Sequence, residues 1–165
     1  MLKQLYEIGI VFRGFVIVHH SFRDLPMDSK ATMTGKEKDL RGAFVSAISS
    51  FAESAFTNTS LEYLESGETL FIFKMANVKS LDSINIEPVI LYGLLSKSKQ
   101  KKVDKMVNKF LQKIDPLLKL FVQRFNGRDF CEVNQFQEFQ DDIEKYFNSN
   151  KVNQSIHFGN FSTHR

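Results

Sequence analysis

The order in which hydrophobic periods follow one another constrains this chain more than any other feature. Two alternating runs, Leu5 to Phe12 and Phe15 to His19, meet at Arg13-Gly14. Alternation with period two is the mark of strands, and a glycine at the junction accepts the positive φ of a tight turn. A helical pattern follows. Thr34-Gly35-Lys36-Glu37 has capping-box spacing, and Leu40, Phe44, Ile48, Phe51 and Ala55 then recur at helical intervals, widened by Val45, Ala52 and Phe56. This predicts a helix over Lys38 to Phe56 packed hard against a sheet, with Ala43, Ala47 and Ala52 allowing close approach. Three further alternating runs lie at Ser60 to Glu65, Thr69 to Met75 and Val89 to Leu95, and only helical patterns remain after them. The order ββαβββαα predicts an α+β fold: a five-stranded antiparallel sheet with one long helix on one face and the C-terminal helices on the other.

Within that plan each segment has a predicted place. In the first strand Tyr6, Ile8, Ile10 and Phe12 should share one face, and Leu5, Gly9 and Val11 the other. Both faces are largely apolar, so both should be covered. The third strand is short and carries Glu62 and Glu65, which suits an edge where charge deters stray pairing. The fifth is the most apolar and is placed centrally. Loops are expected at Phe22 to Gly35 and Asn77 to Glu87. Val103, Val107, Phe110, Ile114, Leu118, Phe121 and Phe125 keep one helical phase across Pro116. That proline implies either a kink or two helices, the second opened by Asp115 and Pro116; Asn126-Gly127 is a plausible stop. A last helix is expected over about 134–147, with Phe136, Phe139, Ile143 and Phe147 on one face and Asn134 or Gln137 as its cap. The chain thus reads as one domain, residues 1–149, followed by a flexible tail over 150–165.

Chemistry is nearly silent. A domain of this length folds without disulfides or metals, and the single cysteine, Cys131, suits a reducing compartment and is expected in the core or at its boundary. Ile8 to Val18 is too short to span a bilayer and is broken by Arg13, and no signal peptide is recognisable, so a soluble cytoplasmic protein is expected. His19 and His20 are adjacent on a strand and point to opposite faces, so they do not readily grip one metal. Asp141, Asp142 and Glu144 fall on the polar side of the last helix. No phosphate-binding glycine loop and no nucleophile elbow occur in the sequence. The expectation is a non-enzyme with no catalytic, cofactor-binding or metal-binding residues.

The element order, the Arg13-Gly14 hairpin, the helix at Lys38 to Phe56 and the aromatic helix ending at Leu120-Phe121 resemble a longin domain, a profilin-like fold, over about residues 4 to 125. The run Leu40-Arg41-Gly42-Ala43-Phe44 through Ala47-Ile48-Ser49-Ser50-Phe51 is similar to archaeal longin-like and roadblock-like proteins. The final helix is an addition to that pattern. The resemblance implies a platform or regulatory subunit that carries protein partners, commonly small GTPases or a second longin or roadblock chain, in assemblies of the vesicle-trafficking type. It implies homo- or heterodimers and brings no catalytic residue.

Two surfaces are candidates. Ser60, Glu62 and Leu64 offer a strand edge to which another strand can add, and Phe51 and Phe56 on the neighbouring helix would add apolar contact, unless they pack on their own sheet. Ten basic and two acidic residues lie between Lys97 and Arg128 in a chain of net charge +3. Lys97, Lys101, Lys105 and Lys109 head this basic run. It is either an ordinary solvated face or a contact for anionic lipid heads at the periphery of a membrane. Nucleic acid fits less well, because no exposed aromatics interleave the lysines. The rival reading is a PAS-like or profilin-like sensor of a small molecule, which demands a cavity of roughly 300 Å³ or more between helix and sheet.

Overall fold

The computed structural model describes residues 2–24, 40–48, 50, 62–97 and 102–156, with side chains as far as 149. After a 3-10 turn come strands β1 (Leu5–Phe12) and β2 (Phe15–Ser21). Helix α1 covers residues 40–48. Strands β3 (Tyr63–Ser66), β4 (Thr69–Lys79) and β5 (Ile86–Ser96) follow. Then come α2 (Val103–Phe125), a second 3-10 turn (Val133–Phe136) and α3 (Gln137–Ile156). The five strands form one antiparallel sheet in the order β2-β1-β5-β4-β3. β5 is central and β3 is an edge, as their apolar and charged compositions require.

The boundaries differ from the sequence reading where pairing outlasts alternation. β4 and β5 stay in register from Thr69↔Ser96 to Lys79↔Ile86, so the expected loop over Asn77 to Glu87 shrinks to residues 80–85. β3 is described from Tyr63, not from Ser60. The capping box, the Phe22 to Gly35 loop beyond Asp24 and residues 51–61, including Phe51, Ala52, Phe56 and Ser60, lie outside the described residues.

Helix α2 is one continuous helix with Pro116 inside it. Proline cannot donate to the carbonyl of Gln112, yet both residues face solvent, so water can serve that oxygen. The helix stops at Asn126, and Gly127 takes a φ of 82°, the left-handed conformation that favours glycine after a helix. α3 runs to Ile156, well beyond Phe147, and overlaps the expected tail; residues 157–165 lie outside the described residues. Its entry is a 3-10 turn containing Asn134, with no side-chain cap; Gln137 donates its backbone N–H to the Asn134 carbonyl.

A bulge between Leu5 and Glu7 corrects the predicted faces of β1. The extra residue reverses the alternation. Leu5 therefore joins Ile8, Ile10 and Phe12 in the larger core, and Tyr6 joins Val11 in the smaller one. The larger core lies under α2 and α3. There Phe110, Ile114, Leu118 and Phe121 meet Ile72 and Leu91, and Phe136, Phe139, Ile143 and Phe147 close the layer, all fully or almost fully buried. Ring edges interlock through Phe121, whose centroid is 5.2 Å from Phe139 and 5.8 Å from Phe136. The smaller core gathers Tyr6, Val11, Phe73, Ile90, Tyr92 and Leu94 around Val45 of α1.

Candidate functional site

The most unusual side chain in the sheet is a carboxylate in an apolar strand. Glu7 is 2% exposed, and an ionised carboxylate at such a position requires partners. Three elements supply them. Arg41 of α1 donates to Oε2 of Glu7, His19 of β2 places Nε2 3.3 Å from the same oxygen, and the Tyr92 hydroxyl of β5 donates to Oε1 at 3.1 Å. The Tyr92 ring can lie over β1 because Gly9 faces it; a Cβ there would stand 2.4 Å from the ring. Burial alone would raise the Glu7 pKa, but hydrogen bonds from His19 and Arg41 outweigh it and hold the carboxyl below its ordinary range. Burial, then the negative charge of Glu7, pushes the Tyr92 phenol up. The cluster therefore carries an ionised Glu7 that ties α1 to the sheet.

That tie sets which side of α1 faces inward. Arg41 points to Glu7, Val45 is buried, and Gly42 sits so close to the β1–β2 turn that a Cβ would lie 2.4 Å from the Gly14 carbonyl oxygen. Close approach is thus made by Gly42, whereas Ala43 and Ala47, expected to make it, are exposed. Leu40 and Phe44, placed on the buried stripe by periodicity, are 71% and 45% exposed. Phe44 lies edge-on to half-buried Phe71 of β4 at 5.9 Å, and half-buried Leu64 of β3 packs into the same core. An apolar strip consequently runs from α1 across β4 to the β3 edge.

On the other flank of α1 a partly enclosed cleft of about 340 Å³ opens against the sheet. Val11, Met75, Pro88 and Ile90 form its floor, Ser46 and Ser50 its helical wall, and Arg13 and Glu87 its rim. Arg13 closes the β1–β2 turn with a φ of 49°. It donates to Asp82 at 2.6 Å and to Glu87 at 2.6 and 2.8 Å. The Arg13 bond to Asp82, with one from Ser80, draws the Asp82 pKa down to about 2.

The sequence candidates are spread over the molecule. Of the edge set, Glu62 is exposed and its carbonyl accepts from the Phe73 N–H at 2.8 Å; Leu64 belongs to the strip described above. Of the lysines, Lys97 is held by Glu65 at 2.5 Å. Lys105 and Lys109 are exposed on α2, and Lys101 lies outside the described residues. His19 and His20 diverge: His19 joins Glu7, while His20 packs edge-on to Phe22 at 4.5 Å on the α3 side. Asp142 pairs with Arg124 at 2.5 Å, and Asp141 and Glu144 face solvent. Cys131 is exposed, not in the core. The turn after α2 spends its apolar anchor on neighbouring Phe130, which is buried against Phe12 at 4.4 Å. Asp129 and Asp82 raise the Cys131 thiol pKa, which disfavours a reactive thiolate.

Among the described residues no group of His, Cys, Asp or Glu is arranged to hold a metal ion, and no helix is long and apolar enough to cross a membrane. Glu7, Arg41 and Tyr92 were not apparent as a set in the sequence, because they lie on three elements and meet only through the sheet register. No family model matches the chain, and no curated protein matches it.

Proposed function

We propose that the chain is a non-enzymatic, longin-like protein-interaction module, a platform or regulatory subunit whose partner is a small GTPase or a second longin or roadblock chain. The observation that carries this reading is the outward turn of the apolar stripe on α1. Burying what Leu40 and Phe44 still expose would contribute on the order of 1 kcal/mol each, yet the Glu7–Arg41 tie and the Gly42 contact keep Leu40 71% and Phe44 45% exposed, the latter edge-on to Phe71. Apolar side chains kept out of an available core mark a docking strip, and this one borders the β3 edge, where a partner strand can add. The choice of partner rests on the longin resemblance.

The test is binding of the full chain to a panel of small GTPases, loaded with GDP or a GTP analogue, and to roadblock chains. Phe44→Asp should lower affinity about 10-fold or more with unchanged circular dichroism. Equal binding by Phe44→Asp, or no binding to any member of either class, would remove the reading.

The cleft favours a second reading, a small-molecule sensor, because its volume matches that demand and it lies between helix and sheet. A bound small molecule retained in native mass spectrometry, and lost in a Met75→Trp variant that fills the cleft, would favour it.

A further inference from the structure

An arginine at the mouth of a cleft is the common receptor for a carboxylate or phosphate, because its N–H donors form a planar fork. In the cleft beside α1 that fork is occupied. Nε of Arg13 donates to Glu87 at 2.8 Å and one terminal nitrogen to Asp82 at 2.6 Å. The other terminal nitrogen donates to Glu87 at 2.6 Å and to Asp82 at 3.3 Å. These bonds use all but one of the guanidinium donors. An anionic ligand would have to displace a carboxylate of the protein itself.

The charge left at the mouth has the opposite sign. One guanidinium faces two carboxylates, so one negative charge is in excess. Glu87 carries it toward the cleft. Among the described lining residues only Arg13 and Glu87 are charged. Arg13 takes one bond from each Glu87 oxygen, and a carboxylate has about four acceptor sites, so capacity remains. The hydrogen bond from Arg13 holds Glu87 below the ordinary carboxylate range, which keeps it ionised at neutral pH. Asp82 does not line the cleft and also accepts from the Ser80 hydroxyl and, at 3.7 Å, from the Cys131 thiol.

The walls set the rest of the ligand. Val11, Met75, Pro88 and Ile90 are apolar, and the volume of about 340 Å³ lies at the low end for ligand pockets. Such a space fits one ring or a short aliphatic chain, and the Met75 thioether is a favourable neighbour for a ring. We propose that the cleft takes a small apolar amine, its body on the Val11–Met75–Ile90 floor and its ammonium on the Glu87 carboxylate. This rests on the sensor reading of the cleft and adds the charge and class of the ligand.

The probes are phenethylamine, phenethyl alcohol and phenylpropionate, which share a ring and differ in charge. They are titrated into the isotope-labelled full chain at neutral pH, and binding is read from the amide shifts of Val11, Gly14, Met75 and Ile90. Phenethylamine should bind about 10-fold or more tightly than the alcohol, as one charge-assisted hydrogen bond implies, and phenylpropionate should not bind. Met75→Trp should abolish amine binding, and Glu87→Gln should remove the advantage of the amine over the alcohol. The wild-type series decides by itself should Glu87→Gln disturb the Arg13 bridge. An alcohol or carboxylate that binds wild type as tightly as the amine overturns the proposal, as does an amine preference that persists in Glu87→Gln. An acid retained by the purified chain in native mass spectrometry also overturns it and leaves the sensor reading intact. No retained molecule and no shift from any of the three probes would remove both.

Discussion

Glu7 joins residue chemistry to fold. Its carboxylate collects Arg41, His19 and Tyr92 from three different elements, so losing its charge should be felt by all three. In Glu7→Gln the shape remains, but two charge-assisted bonds weaken, and stability at neutral pH should fall by about 2 kcal/mol. The pH dependence follows from the direction of the shift. Glu7 is held below its ordinary pKa in the folded protein, so on acidification the unfolded chain takes up the proton first. The associated stability is fully present above the ordinary carboxylate range and is lost as pH falls through the lower folded value. Urea unfolding of wild type and Glu7→Gln between pH 7 and pH 3 should therefore converge toward acid; parallel curves would show that Glu7 contributes nothing to the slope. A lone Glu in an apolar strand is visible in the sequence, but its partners are not.

At the scale of elements, α2 and α3 were the most legible. Every residue of the predicted stripe from Val107 to Phe125 is buried, and so are Phe136, Phe139, Ile143 and Phe147. Period and aromatic mass together leave such helices only one apolar face to bury. Phe139 is fully buried between Phe121 and Phe125. Phe139→Ala should cost about 3–5 kcal/mol and loosen α3 before the sheet, seen as early amide exchange in α3; uniform exchange would count against this. The opposite face of α2 carries Lys105 and Lys109 in solvent. If this face touches anionic membranes, K105E and K109E together should weaken binding to phosphatidylserine vesicles by roughly 2 kcal/mol or more, and wild-type indifference to vesicle charge would leave it a solvated face. α1 was less legible. Its periodicity marked an apolar stripe but could not show that Arg41 and Gly42 would claim the inward side from Leu40 and Phe44.

At the scale of the molecule, among the described residues, two cores on opposite faces of one sheet leave three surfaces of different character: the α1–β3 strip, the cleft beside α1 and the exposed β4–β5 loop. By itself the sequence determined the type and order of the elements, the central place of β5, the edge place of β3 and the stripes of the C-terminal helices; whether Pro116 kinks one helix or divides two it left open, and the structure shows one. These follow from local periodicity and from the cost of leaving an apolar face in water, which the chain order alone exposes. Only the tertiary structure decided the β1 bulge that exchanges Leu5 and Tyr6, the burial of Glu7, the rotation of α1 and the meeting of Arg13 with Asp82 and Glu87. Each depends on pairing between residues far apart in the chain. A shift of one residue in a strand, or a fraction of a turn in a helix, changes which side chain meets which while leaving the hydrophobic pattern intact.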